Sequence, residues 1–503
     1  MRRMTTHPQS TLAARWRAGL IVAACLWAVT AAGQTPSAAP TATPNAARRP
    51  PHVLMIAVDD LRPELGCYGA TGAVTPHFDR LAARGVRFDR AYCNIAVCGA
   101  SRSSLFKGLR PTAERFLDYA TRADVDAPDT TSLPLLLRQH GYTTVSNGKV
   151  YHHRDDDMAA WSEPPWRPNA VWNAYRLPAN EPEAGDNRRG PAWEAADVPD
   201  DRYTDHEICT RTIANLERLV KAQTPCFVAC GFTKPHLPFV VPKKYWDLHP
   251  PETIRLPDNP AFPAGLAAAF AYDWGELRKY RGIPAEGPVA EDTARSLIRG
   301  YRAGVSFIDA QVGRLLDALD RLGIADETIV VLWGDHGWQL GEHGMWCKHT
   351  NFEVATRTPL LVAAPGVAPG RACRRLVEFV DLYPTLCDLC GVPRPAHLEG
   401  QSFTPLLADV EAAHKPAIFT RYAGGDAVRT DTHRYLEARA RRGQGALLAV
   451  GLFDLVADPH ENVDISADPA VRQRRDELAA VLRRQIRAES VTDRPAAGPA
   501  PRP

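Results

Sequence analysis

Four apolar runs in this chain stop abruptly at polar residues, and that pattern predicts its architecture. The run Val53–Val58 is followed by Asp59 and Asp60, and Thr328–Trp333 leads into Gly334, Asp335 and His336. Cys226–Phe232 ends at Thr233, Lys234, Pro235 and His236. Tyr142–Ser146 ends at Asn147, Gly148 and Lys149, with His152 close behind. Continuous apolar runs of this length suit strands buried on both faces, as in a mostly parallel sheet covered by helices. Helical spacing places Val305, Ile308, Val312, Leu315, Leu316 and Leu319 on one face of residues 304–322. A short segment with Leu105 and Phe106 follows Cys98 and ends at Gly108, and residues 380–391 read as a short amphipathic helix closed by Gly391. In open α/β sheets, ligands bind beyond the carboxyl ends of the strands. The four polar endings therefore predict one site on one sheet edge.

Elsewhere the pattern changes. Residues 154–203 are rich in Pro, Trp, Asn and charge with little periodicity, which predicts a long structured insertion over the sheet edge that sets substrate choice. Beyond Ala396, the segments 416–422, 427–430, 433–437 and 447–455 read as short antiparallel strands, and 471–486 as a charged amphipathic helix. The expected organisation is a signal peptide over 1–33, a disordered linker over 34–50, a catalytic domain over 51–395, an α+β C-terminal subdomain over 396–490 and a disordered tail over 491–503.

Composition narrows the classes. The chain has 503 residues, 45% hydrophobic and 23% charged, an ordinary globular balance. A net charge of +2 implies no polybasic nucleic-acid surface. Arg2, Arg3, Arg15 and Arg17 precede an apolar run from Gly19 to Ala32 that ends in small residues. That is the pattern of a secretory signal, and the run is short for a membrane span. The expectation is an exported protein, periplasmic or secreted, with no membrane span in the mature chain; lipid anchoring through Cys25 is a minor option. Of the 11 cysteines, Cys387 and Cys390 form a Cys-x-x-Cys that reads as two core positions, with no second pair to make a zinc site.

The strand endings carry the candidate chemistry. Adjacent carboxylates such as Asp59 and Asp60 repel unless a cation lies between them. With Asp335 and His336 they form a set rich in hard oxygen donors, which suits Ca²⁺ or Mg²⁺ better than zinc. Cys98 stands at a predicted helix start, where unpaired N–H groups favour an anion. Arg102 adds a permanently charged fork suited to a tetrahedral oxyanion. Lys149, Lys348 and His236 can hold ester oxygens and neutralise charge developing in a transition state. His152 is the candidate for moving a proton.

Cys98-Gly-Ala-Ser-Arg102 also resembles the sulfatase signature Cys-x-Pro/Ala-x-Arg. Further segments match in order: Val58-Asp-Asp-Leu-Arg-Pro63, Gly148-Lys-Val-Tyr-His152, Lys234-Pro-His-Leu-Pro-Phe239, Gly334 to Gly344 continuing through Trp346 and Lys348, and Asp381-Leu-Tyr-Pro-Thr385. Over residues 51–465 the chain resembles sulfatases of the alkaline-phosphatase superfamily, nearest their iduronate-2-sulfatase branch. The resemblance implies an alkaline-phosphatase-like sandwich: a large, mostly parallel central sheet flanked by helices, plus a small C-terminal α+β subdomain with a short antiparallel sheet. It implies that a maturation enzyme oxidises Cys98 to formylglycine (3-oxoalanine). It implies one Ca²⁺ held by Asp59, Asp60, Asp335, His336 and the modified Cys98. Arg102, Lys149, His152, His236 and Lys348 would line the sulfate pocket, and Trp338 and His236 would touch a uronate ring; Trp338 as a core residue is the other reading. The implied substrate is a sulfated saccharide, foremost a 2-O-sulfated uronic acid. Two positions depart from the common pattern: Ala100 stands where many aerobic sulfatases have proline, and Gly99 is expected to add flexibility beside the nucleophile. Two further readings stay open: a phosphoesterase or phosphonate hydrolase on the same fold, and an inactive homologue that binds sulfated glycans.

Overall fold

The strands of the main sheet are β1 (His52–Val58), β2 (Val86–Tyr92), β3 (Thr143–Gly148), β4 (Cys226–Phe232), β5 (Thr328–Gly334), β6 (Arg357–Ala363), β7 (Arg371–Cys373) and β8 (Val377–Glu378). They come from a computed structural model that describes residues 49–492 apart from 171–173, 183–188, 423–424 and 441–444. The expected signal peptide, Cys25, nearly all of the linker and the tail beyond residue 492 lie outside the described residues. The order is β7-β2-β6-β5-β1-β4-β3, with β8 also paired to β2. Every pairing is parallel except those of β6, which runs against both β2 and β5. All four apolar runs are thus strands of one sheet, and all four point the same way.

The helices flanking it are α1 (Pro76–Arg84), α2 (Cys98–Lys107), α3 (Thr204–Lys221), α4 (Glu291–Arg321) and α5 (Leu382–Cys390). β1 shows why its run is apolar throughout. Leu54, Ile56 and Val58 share a core with residues of α1, α3 and α4, while Val53, Met55 and Ala57 share another with residues of α2 and α5. Each large side chain buried this way stabilises the fold by about 1.5–3 kcal/mol. α4 begins at Glu291, earlier than the 304–322 that periodicity predicts. Gly300 and Gly304 and several arginines blur the apolar stripe in this first part, yet Ala294, Leu297, Ile298 and Tyr301 are buried there.

β3 is an end strand of the sheet, and the expected insertion covers it. Trp166 bridges Asn147; along that edge the N–H groups of Ser162 and Trp166 donate to the carbonyls of Thr144 and Ser146, and the Gly148 N–H donates to the Trp166 carbonyl. Further on, Arg189–Pro191 pairs with Tyr280–Arg281, and Trp193–Ala196 with Phe239–Pro242. The C-terminal strands β9 (Ala417–Tyr422), β10 (Gly425–Thr430), β11 (His433–Arg439) and β12 (Leu447–Asp454) form an antiparallel sheet in chain order. Helix α6 (Arg472–Thr492) packs Leu478, Ala479 and Leu482 on it. Among the described residues every cysteine is a free thiol, and Cys387 and Cys390 lie in the core through α5. No described helix is long and apolar enough to cross a membrane.

Candidate active site

Register brings the polar endings together. Val58 of β1 stands between Phe232 of β4 and Gly334 of β5, so Asp59, Thr233 and Asp335 leave the sheet side by side. Gly148 pairs with Gly231, which places Lys149 next in line. Gly148 has φ +77°, and a Cβ there would lie 2.2 Å from the Gly231 carbonyl oxygen, so only glycine lets β3 approach β4 this closely before Lys149. Asp60 is buried with φ +60°, an unfavourable conformation for a residue with a Cβ. Its N–H donates to Asp335 Oδ1 at 3.0 Å, and its carbonyl accepts from Tyr301 Oη at 2.8 Å. Those two bonds hold its carboxylate toward the site.

Cys98 is the first residue of α2 and is buried. Burial alone would push its thiol up, but Lys149 and Lys348, with a hydrogen bond from His152, hold it well below the usual thiol range. Cys98, Asp59, Asp335 and His336 offer ligand atoms within 4.8 Å of one another, and Asp59, Asp60 and His236 form a second such group. His336 Nδ1 lies 2.9 Å from the Gly337 carbonyl, which fixes it as the donor and turns Nε2 toward Asp335 and Asp60, whose charges pull the ring up to about 9 against burial. That buried Nε2 has no hydrogen-bond partner, and neither has Asp60 Oδ2. Burial pushes Asp335 up to about 7 against the pull of His336 and Arg102, and it raises Asp60 despite Lys348 and His236. Unpartnered donor atoms and carboxylates that protein cations only partly stabilise are what a bound hard cation would satisfy. The donor set fits Ca²⁺.

The cationic residues divide. Lys149 Nζ pairs with Asp59 Oδ2. Lys348 Nζ lies 3.0 Å from both Asp60 Oδ1 and Glu276 Oε2. His236 Nε2 lies 3.0 Å from Glu276 Oε1, and its Nδ1 lies 2.6 Å from the Leu237 carbonyl. Burial pulls His236 down, but Asp60 and Glu276 outweigh it and favour the imidazolium. His152 goes the other way: burial lowers it more than the contact with Cys98 raises it, which favours neutral imidazole. These four side chains and Cys98 line a cavity of about 960 Å³.

Arg102 departs from expectation. It is fully buried, and its fork is occupied by protein: Nε on Asp335 Oδ2 and Nη2 on Asp59 Oδ1, both at 3.0 Å, with Nη1 on the carbonyls of Lys149 and Val150. It stands behind the carboxylates, not among the residues lining the cavity. It therefore positions the acids and does not present its fork to a substrate oxyanion. Trp338 also lies outside the lining; it packs in the core with the Lys348 ammonium 4.9 Å from its ring centroid. Its expected touch on a uronate ring gives way to the core reading. Gly99 has a different role from the flexibility expected of it. A Cβ there would lie 2.5 Å from the Tyr119 carbonyl oxygen, so the residue lets residues 118–119 approach the nucleophile.

Sequence reasoning missed Glu276, which joins His236 to Lys348. It lies in a stretch, 261–283, without periodicity, and nothing local marks it. Also missed were the aromatic group Tyr272, His349 and Tyr422, with ring centroids 4.8–6.4 Å apart, and four lining cations, Arg154, Arg167, Arg189 and Lys279.

Comparison with known proteins agrees with this geometry. A family model described as sulfatase matches residues 51–392, and one described as the C-terminal part of N-sulphoglucosamine sulphohydrolase matches 341–488. Iduronate 2-sulfatase of Homo sapiens is 36% identical over 391 residues, covering 70% of this chain and 71% of that protein. A sulfatase of Formosa agariphila is 30% identical, covering 86% of each. Among solved structures, one in complex with its substrate D-glucosamine-2-N,6-O-disulfate superposes with TM-score 0.70 at 22% identity, covering 88% of this chain and 99% of that one. The phosphonate monoester hydrolase of Agrobacterium radiobacter gives TM-score 0.72 at 22% identity, covering 87% and 96%, a likeness of fold.

Proposed function

The chain belongs to the sulfatase family and is a sulfuric ester hydrolase, and from that premise we propose that it is an exported enzyme acting on sulfated saccharides, foremost 2-O-sulfated uronic acids, with Cys98 converted to formylglycine and one Ca²⁺ bound. One observation carries the reading. Cys98 opens a buried helix beside the Asp59, Asp335 and His336 donors and faces a cavity lined by Lys149, His152, His236 and Lys348.

Asp59, Asp60, Asp335 and His336 would hold the ion, whose charge would draw an anionic ester oxygen toward residue 98. Formylglycine at position 98 would supply a hydrated aldehyde, one hydroxyl to attack sulfur and a second to expel sulfate, which explains why a plain hydroxyl would not serve. Lys149, Lys348 and the His236 imidazolium hold the remaining ester oxygens and meet the charge that grows in the transition state. Glu276 anchors His236 and Lys348 from the far side, so both keep their positions between substrates. Neutral His152, in contact with residue 98, is placed to carry a proton between that residue and the departing sugar oxygen. The aromatic group Tyr272, His349 and Tyr422 offers flat apolar surface for a sugar ring, consistent with a saccharide leaving group.

The test has two parts. Mass spectrometry of the peptide containing residue 98, from protein made in its native host, should show formylglycine. Steady-state rates on matched aryl sulfate and aryl phosphate should favour the sulfate, and 2-O-sulfated uronates should be turned over. An intact cysteine with retained glycan affinity would point to a non-catalytic binder, and a clear preference for phosphate to a phosphoesterase.

A further inference from the structure

The cavity is far larger than a sulfate group needs, and its outer lining is unevenly charged. Beyond the residues assigned to the sulfate, it holds Arg154, Arg167, Arg189 and Lys279. The acids in the lining are Asp118 and Glu276, and Glu276 is already engaged by His236 and Lys348. None of the four cations has a carboxylate within ion-pair distance among the described residues. Arg167 donates to the carbonyls of Tyr151 at 2.6 Å and His152 at 3.1 Å. Arg189 donates to Tyr280 Oη at 2.9 Å and lies over that ring, and Arg154 donates to the Pro168 carbonyl at 3.2 Å. Several arginines elsewhere pair directly with acids, as at Arg62–Glu342, Arg110–Glu378 and Arg421–Asp426, while Arg299 and Arg314 are held by carbonyls and neutral side chains but do not line the cavity. The chain is nearly neutral overall, with net charge +2, so four such cations in the lining of one cavity are not a by-product of a basic protein. Burial and the nearby Arg102 and Arg154 push Arg167 down to about 10, and the more distant Asp59 and Asp155 offset them only in part. Three of the four belong to the insertion over the sheet edge, and Lys279 lies in the 261–283 stretch that also supplies Glu276.

We propose that Arg167, Arg189 and Lys279, with Arg154 at the rim, form a second anion subsite that takes another negatively charged group of the same substrate. The proposal rests on the reading above, that the ester being cleaved belongs to a sulfated saccharide. It narrows the substrate to saccharides bearing at least two anionic groups, the scissile sulfate and either a carboxylate or a further sulfate. Guanidinium groups suit both, because each presents paired oxygens to a planar fork. A sugar whose only charge is the scissile sulfate, or an aryl sulfate, leaves these cations unused.

The experiment uses the full, matured chain with three substrates: an aryl sulfate with no second charge, a 2-O-sulfated uronate, and a disulfated glucosamine. Arg189→Ala with Lys279→Ala, and separately Lys279→Glu, are compared with the unsubstituted enzyme. Arg167 is spared because it supports the main chain at His152. The double variant should lose about ten-fold more kcat/KM on the doubly charged saccharides than on the aryl sulfate, mostly through KM. Lys279→Glu, at an exposed position, should move in the same direction. The larger loss between the two saccharides assigns the subsite to carboxylate or to sulfate. Equal losses on all three substrates, or no loss on either saccharide, would overturn the proposal. Failure of the underlying sulfatase reading would look different, as absent turnover of aryl sulfate by the unsubstituted enzyme.

Discussion

At the scale of single residues, the site is a buried charge lattice in which position decides role. Arg102 and Lys149 both touch Asp59, yet only Lys149 reaches the cavity. Replacing Arg102 with alanine would leave Asp59 and Asp335 without their shared fork and orphan buried charge, a loss of about 3–5 kcal/mol. The expected result is a lower unfolding midpoint in denaturant, partly restored by added Ca²⁺, together with weaker ion binding by calorimetry; unchanged stability would remove its positioning role. Cys98→Ser tests the nucleophile differently. Serine fits the helix start but lacks a second hydroxyl, so turnover should stop after a single event and leave a sulfate ester on the peptide containing residue 98. Mass spectrometry reads this directly, and sustained turnover by the serine variant would sink the formylglycine reading. The sequence displayed these residues because they end apolar runs or sit in ordered motifs. Glu276 and the cations of the outer wall were not legible, since they come from loops whose path only the assembled sheet defines.

Elements explain why the motif works at all. α2 begins at Cys98 only because the chain can pass close by at Tyr119, and Gly99 makes the space. Gly99→Ala would force a Cβ to within 2.5 Å of that carbonyl oxygen. Overpacking of this kind costs about 1–3 kcal/mol, and here it would fall between the nucleophile and the 118–119 loop. The variant should remain folded by circular dichroism yet lose activity through kcat more than KM; a fully active variant would mean that the loop moves freely. The same contact corrects a reading from composition alone, because a glycine beside a nucleophile suggests mobility until the neighbouring chain is in view. Strand legibility followed a simpler rule. β1, β4 and β5 are covered on both faces, so nearly every position is apolar and their ends are sharp. The beginning of α4 was hidden because glycines and arginines interrupt its stripe, although the face formed by Leu297, Ile298 and Tyr301 is buried.

For the whole molecule, folding and ion binding are linked through the same carboxylates. Burial raises Asp335 to about 7 from an ordinary 3.8, and it raises Asp60 as well. In the ion-free protein the native state therefore holds protons that the unfolded chain has already released between about pH 4 and 7. Stability then falls as pH rises through that window, the reverse of a salt-bridged acid whose pKa is depressed. A bound divalent ion displaces those protons, so its affinity should rise with pH until Asp335 is ionised near 7. At a free concentration about 100 times the dissociation constant, it would add about 2.7 kcal/mol to stability, a shift of a few degrees in Tm for a chain of this size. Two thermal unfolding series from pH 5 to 8, one with excess chelator and one with saturating Ca²⁺, should nearly meet at the acid end and diverge steadily toward neutrality. Parallel curves would mean that the carboxylates do not bind the ion, and the lattice of Arg102, Lys149 and Lys348 would then be what keeps three buried acids together.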